Sequence, residues 1–145
     1  MSTRSTIKFI KKHDNKLTQL VNIYQQWDGY ISGVGYDLAN YLKSKKIING
    51  ISSGQDTDEY ANGFGCLVAQ FIRDNKENVG GLYIDEPDDE QEYNYEVIFD
   101  ADKYYKMDFA ETLTADEIIT IRVNNFFEGT PSELLEYKEN WEEDE

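Results

Sequence analysis

The stretch Tyr93-Asn94-Tyr95-Glu96-Val97-Ile98-Phe99 decides how this chain reads. Tyr93, Tyr95, Val97 and Phe99 fall on one side of an extended backbone, so the period is two and the residue types are aromatic and β-branched. The stretch predicts a strand with one face in a core. On its N-terminal side Leu82 and Ile84 repeat the period, and Pro87-Asp88-Asp89-Glu90 closes that strand as a turn. On its C-terminal side Asp100-Ala101-Asp102-Lys103 reads as a tight reversal into a strand with Tyr105, Met107 and Phe109 on one face. Ile119, Ile121 and Val123 line one more strand. Short turns between successive strands predict an antiparallel meander.

The first half of the chain supplies a hairpin and two helices. Ile7 and Phe9 alternate in one run, Leu17, Val21 and Ile23 in the next, and Lys11–Lys16 is turn material between them. Residues 36–46 carry Leu38, Tyr41, Leu42 and Lys45 at helical spacing, and residues 66–75 carry Leu67, Val68, Phe71 and Ile72. The glycine-containing stretch 49–65 reads as a long loop. Near the C-terminus Thr130, Pro131 and Glu133 satisfy N-cap, N1 and N3 of a capping box, with Leu134, Leu135 and Tyr137 free to dock the helix. The predicted fold is α+β, in the order ββααββββα, with a mostly antiparallel sheet and helices on one face. One domain over 1–138 and a fraying acidic tail over 139–145 are expected.

Charge is unevenly spread. Residues 1–76 hold 10 Lys/Arg against 7 Asp/Glu, whereas residues 77–145 hold 4 against 22, giving a net charge of −15 for the chain. Such a surface repels nucleic acid and anionic lipid, so neither is an expected partner. Cys66 is the single cysteine, which excludes an intramolecular disulfide and points to a reducing compartment, the cytoplasm. Residues 1–6 lack the apolar region of a signal peptide, and no apolar run approaches membrane-spanning length.

Two glycine-rich segments adjoin predicted helices. Gly33-Val34-Gly35 follows a strand and opens a helix, but Leu38 stands where a dinucleotide fingerprint needs a small residue, and Asp37 in the first turn repels phosphate. Asn62-Gly63-Phe64-Gly65-Cys66 leads into the second helix. A thiol there needs a base to act as a nucleophile, and the only imidazole is His13, in the hairpin turn, so Cys66 reads as a buried, inert core residue. Asp56-Thr57-Asp58-Glu59 fails as a calcium loop, because Tyr60 and Ala61 occupy the positions for a ligand and for glycine. With one His and one Cys, a zinc site would have to recruit carboxylates. No metal site and no cofactor are expected.

The segments Thr3-Arg4, Tyr24-Gln25-Gln26-Trp27-Asp28-Gly29-Tyr30-Ile31-Ser32-Gly33-Val34-Gly35, Asn62-Gly63-Phe64-Gly65-Cys66-Leu67-Val68-Ala69-Gln70 and Gly80-Gly81-Leu82-Tyr83 together resemble a group of small proteins. That group is encoded by phages, other large DNA viruses and some bacteria, and it brings no activity. The resemblance covers residues 3–99 and implies a viral protein. The leading expectation is a non-enzymatic binding or accessory protein, with an unknown protein or a small polar ligand as partner. Its candidate site is Asp28, Tyr30, Gly33 and Gly35 together with Asn62, Gly63, Phe64 and Gly65, drawn into one surface by two helix starts. A second reading is an acidic nucleic-acid mimic that occupies a basic host protein, displaying Glu92, Glu96, Asp100 and Asp102 from strands. A third is an enzyme using Cys66 or the Asp28 loop.

Overall fold

A computed structural model describes residues 3–51, 55–109 and 111–138. The acidic tail expected to fray, 139–145, lies outside them. The predicted hairpin forms from Ser5–His13 (β1) and Lys16–Gln25 (β2), turning through Asp14 and Asn15 at φ 51° and 64°. Two positive φ values in a two-residue loop match the twist of the flanking strands. The chain then passes through a π-helical turn, Ile31–Gly35, into α1 (Tyr36–Lys43), so the stretch read as a glycine loop is partly helical. After α1 come β3 (Lys46–Ile48), β4 (Tyr60–Asn62) and α2 (Phe64–Asn75). Next are β5 (Leu82–Asp85), β6 (Tyr93–Asp100), α3 (Ala101–Tyr105), β7 (Thr112–Thr114) and α4 (Ala115–Ile118). β8 (Ile119–Val123), β9 (Phe127–Gly129) and α5 (Pro131–Glu136) complete the order.

The fold is α+β, built on a six-stranded sheet in the order β5-β2-β1-β6-β8-β9. Its pairs are antiparallel except one: β1 runs parallel to β6, with Ile7 opposite Tyr95 and Phe9 opposite Val97. This corrects the meander. The two central strands are joined through residues 14–92 instead of a turn, as a parallel pair requires a crossover. A second sheet, β4-β3-β7, occupies part of the stretch read as a loop.

One face of the large sheet forms the core, from Ile7, Phe9, Ile23, Tyr95, Val97, Phe99, Ile121 and Val123. Helix residues Leu38, Leu42, Phe64, Leu67, Phe71 and Leu134 pack onto it. Phe9 meets Phe71 and Phe64 at ring distances of 5.4 and 6.1 Å, and Phe64 stacks on Phe99 at 4.7 Å. α5 starts as expected: Thr130 Oγ1 accepts from the Glu133 N–H, and Glu133 Oε1 accepts from the Thr130 N–H at 2.8 Å. Leu134 is buried and Tyr137 receives the Tyr36 hydroxyl on its carbonyl at 2.6 Å.

Three local readings are corrected. The strand expected at Tyr105, Met107 and Phe109 is replaced by α3, because the Asp100 carboxylate accepts from the Lys103 N–H at 3.0 Å and caps a helix. Ile84 is 64% exposed while Leu82 is buried in the core, since β5 is an edge strand. Lys45 lies beyond the end of α1 and is buried, donating to the carbonyls of Thr57 and Asp58 at 2.5 and 3.1 Å.

α1 and α2 are tied by the Tyr41 hydroxyl, which donates to Asp74 at 2.6 Å while Arg73 Nε donates to the same carboxylate at 2.8 Å. The Arg73 bond first, then the Tyr41 bond, lowers the Asp74 pKa to about 2. A depressed folded-state carboxylate contributes stability above its unfolded value, near ~4, and loses it as pH falls through the folded value. The melting-temperature difference between the native chain and Asp74→Asn is therefore expected to be widest above pH ~5 and to shrink toward pH ~2. A difference that stays constant over that range would remove Asp74 from the acid response.

Candidate functional site at the start of the second helix

The chain leaves β4 at Asn62, whose Oδ1 accepts from the Gly50 N–H at 2.8 Å and fixes β4 beside β3. Gly63 then turns at φ 88°, and a Cβ there would stand 2.7 Å from the Tyr104 hydroxyl, so conformation and space both demand glycine. No side chain caps α2 at Gly63. Phe64 turns inward onto Phe99. Gly65 is different: a Cβ placed on it would meet no atom within 4 Å.

The open space beside Gly65 is a cavity of about 380 Å³. Its walls are Asn62, Gly63, Phe64, Gly65 and Cys66 from the helix start, Phe99 and Ala101 from β6 and α3, and Tyr104 and Tyr105 from α3. Lys11 of β1 and Leu20 of β2 complete it. Leu20 reaches the wall because β2 bulges there: Phe9 pairs with Val21 and Ile10 with Gln19, leaving Leu20 as the extra residue. Burial, and then the neighbouring Cys66 and Tyr105, push the Tyr104 pKa up, so its hydroxyl keeps its proton at neutral pH. Cys66 is half-buried on the wall, with Gln70 Nε2 at 3.5 Å from its sulfur, which corrects the expectation of a fully buried thiol. His13 packs edge-on against Tyr105 at 5.0 Å, and its nitrogens face Asp102 and Asp14, so no imidazole nitrogen is aimed at the thiol.

The Asp28–Gly35 segment lies elsewhere. The Gly29 N–H donates to Thr3 O at 2.9 Å and its carbonyl accepts the Tyr95 hydroxyl at 2.6 Å, placing the segment where β1 begins. The cavity sits near Lys11 where β1 ends, about 20 Å of extended chain away. The expected single surface is therefore overturned: Asp28, Tyr30, Gly33 and Gly35 do not meet Asn62–Gly65. Their contacts are internal. Asp28, at φ 58°, accepts the Val34 N–H on its carbonyl at 2.7 Å and the Tyr30 hydroxyl on its carboxylate at 3.0 Å. Gly35 presses against the Tyr95 ring. Burial, and then the Asp28 charge, raise the Asp37 pKa.

Among the described residues, no helix of the core layer covers the other face of the large sheet. Its lower half is covered by the acidic turn at residues 87–90. Asn22 donates to the carbonyls of Glu86 and Asp89 at 2.8 and 3.1 Å, Gln19 donates to Pro87 O at 2.9 Å, and Lys8 meets Glu90 at 3.6 Å. Its upper half is a groove of about 650 Å³ walled in part by Lys12, Leu17, Ile98, Asp102 and Arg122. Of the four carboxylates that a mimic would display, three are engaged locally: Glu96 pairs with Arg122 at 3.9 Å, Asp100 caps α3, and Asp102 bonds His13. Glu92 stands in the bend before β6 instead of on a strand. Asp102 lies on α3, not on a strand.

Among the described residues, His13, Asp14 and Asp102 are the group whose ligand atoms come within 4.8 Å of one another. The Asp14 N–H, and then His13, hold the Asp102 carboxyl below the usual carboxylate range. No helix of the described residues is long and apolar enough to cross a membrane. No family model matches the chain, and no curated protein or solved structure matches it.

Proposed function

We propose that this protein is a non-catalytic binding protein that takes a small ligand, with an apolar face and one acidic group, into the cavity at the start of α2. The carrying observation is the chemistry of the wall. It holds one cation, Lys11, and no carboxylate, in a chain where 29 of 145 residues are acidic. Phe64, Phe99, Tyr104 and Tyr105 offer ring surface for the apolar face, and Asn62 and the Tyr104 hydroxyl offer polar contacts. The volume of about 380 Å³ suits a small organic molecule.

Small aromatic acids such as phenylacetate test this against their neutral amides by calorimetry. Phenylacetate is expected to bind, to slow alkylation of Cys66, and to weaken about tenfold in Lys11→Met, equivalent to ~1.4 kcal/mol. Gly65→Leu should fill the cavity and abolish binding without lowering the melting temperature. Binding that survives Gly65→Leu, or an acid that binds no better than its amide, would overturn the proposal.

A further inference from the structure

We propose that the β1–β2 turn and the start of α3 form a binding site for one divalent transition-metal ion of the zinc class, held by His13, Asp14 and Asp102. Three donors from two segments 89 residues apart in sequence converge here. His13 Nδ1 is 2.8 Å from Asp102 Oδ1 and His13 Nε2 is 3.4 Å from Asp14 Oδ2. One imidazole nitrogen and one oxygen from each carboxylate lie within 4.8 Å of one another, against about 3.4 Å between donors around a tetrahedral ion with ligands at ~2.1 Å. Because the two carboxylates face different ring nitrogens, the exposed Asp14 side chain must rotate toward the nitrogen that binds the ion.

The convergence is fixed by the backbone. The Asp14 N–H reaches both Asp102 oxygens at 3.2 Å, locking the turn to α3, and the Tyr105 ring supports the imidazole. The turn itself is pinned by the φ values of Asp14 and Asn15. The donor set selects the class of ion. One imidazole with two carboxylates suits zinc, cobalt, nickel or manganese, whereas calcium prefers a larger all-oxygen shell. Three protein donors leave positions for water. The group is partly exposed, with side-chain accessibilities of 45% for His13 and 40% for Asp102, so an ion can enter without opening the fold. Coordination through one imidazole nitrogen expels any proton on it and exchanges its carboxylate hydrogen bond for a bond to the metal. This inference is independent of the ligand cavity, whose walls include none of His13, Asp14 and Asp102.

The test uses the untagged full chain titrated with Zn²⁺ at physiological salt, because an acidic protein collects cations diffusely and salt suppresses that background. His13 is the only histidine, so its ring resonances report the site alone. One ion is expected to bind per chain and to shift those resonances. His13→Gln and Asp14→Asn should each weaken binding at least tenfold; Asp14→Asn keeps the backbone bonds to Asp102. Glu86→Gln with Asp88→Asn, on the acidic turn, should leave binding unchanged. Zinc that binds with the His13 ring unmoved, or equally well to either ligand variant, would overturn the assignment, as would equal loss in the acidic-turn control.

Discussion

Phe99→Ala is expected to remove about 3–5 kcal/mol of folding stability. The ring is almost fully buried. It stacks on Phe64 at 4.7 Å with planes 18° apart and meets Tyr104 edge-on at 5.5 Å, from a strand paired with β1 on one side and β8 on the other. Deleting it forfeits the transfer term and leaves a void that three elements cannot collapse into at once. Domains of this size hold only about 5–15 kcal/mol, so the variant should be marginal at ambient temperature. Urea unfolding followed by Trp fluorescence would show a lower midpoint at an unchanged slope. Phe99→Leu should recover more than half of the loss. A Phe99→Ala cost below ~1 kcal/mol would mean that the aromatic stack does not hold the helix layer to the sheet.

Gly33→Ala and Gly65→Ala are expected to move stability in opposite directions. A Cβ on Gly33 would stand 2.2 Å from the Asp28 carbonyl oxygen, a backbone atom already accepting the Val34 N–H. It cannot move aside without breaking that bond, so a loss of roughly 1–3 kcal/mol is expected. At Gly65, inside α2, the added methyl meets nothing and removes backbone freedom from the unfolded chain, which should raise stability by about 0.5–1 kcal/mol. This separates two glycines that occupy similar places in the sequence, each near a helix start. Paired denaturation curves would decide it. A neutral Gly33→Ala would show that the π-helical turn yields easily.

The contrast also marks how far sequence reading reached. β1, β2, β6, β8, α1, α2 and α5 were legible because each carries a local signal: period two in Tyr93–Phe99, helical spacing in Leu67–Phe71, a capping box at Thr130. α3 was not, since Tyr105 and Met107 alternate like a strand and only the Asp100 cap decides otherwise. β3 and β4 are three residues long, too short for a period to register. Of the cavity walls, Asn62–Gly65 were legible as a candidate, because glycine before a helix is conspicuous. Lys11 and Tyr104 were missed since their approach depends on the β1–β6 pairing, and Leu20 since it depends on a bulge. Neither leaves a mark in the local sequence.

That pairing has a consequence for the order of events during synthesis. The two central strands of the sheet, Ser5–His13 and Tyr93–Asp100, hydrogen-bond to each other across almost ninety residues. Until Asp100 has left the ribosome, the hairpin has no partner on its inner edge and α2 has only part of the floor it packs on. Loop closure must then be met before the long-range contacts return anything, which places the domain among the slower-folding topologies. The nascent first half, with an unpaired β1 edge and Ile7 and Phe9 uncovered, is the species that a trigger-type chaperone would find exposed. The acidic second half therefore arrives as the piece that closes the fold, carrying into the same molecule both the missing strand and most of its negative charge.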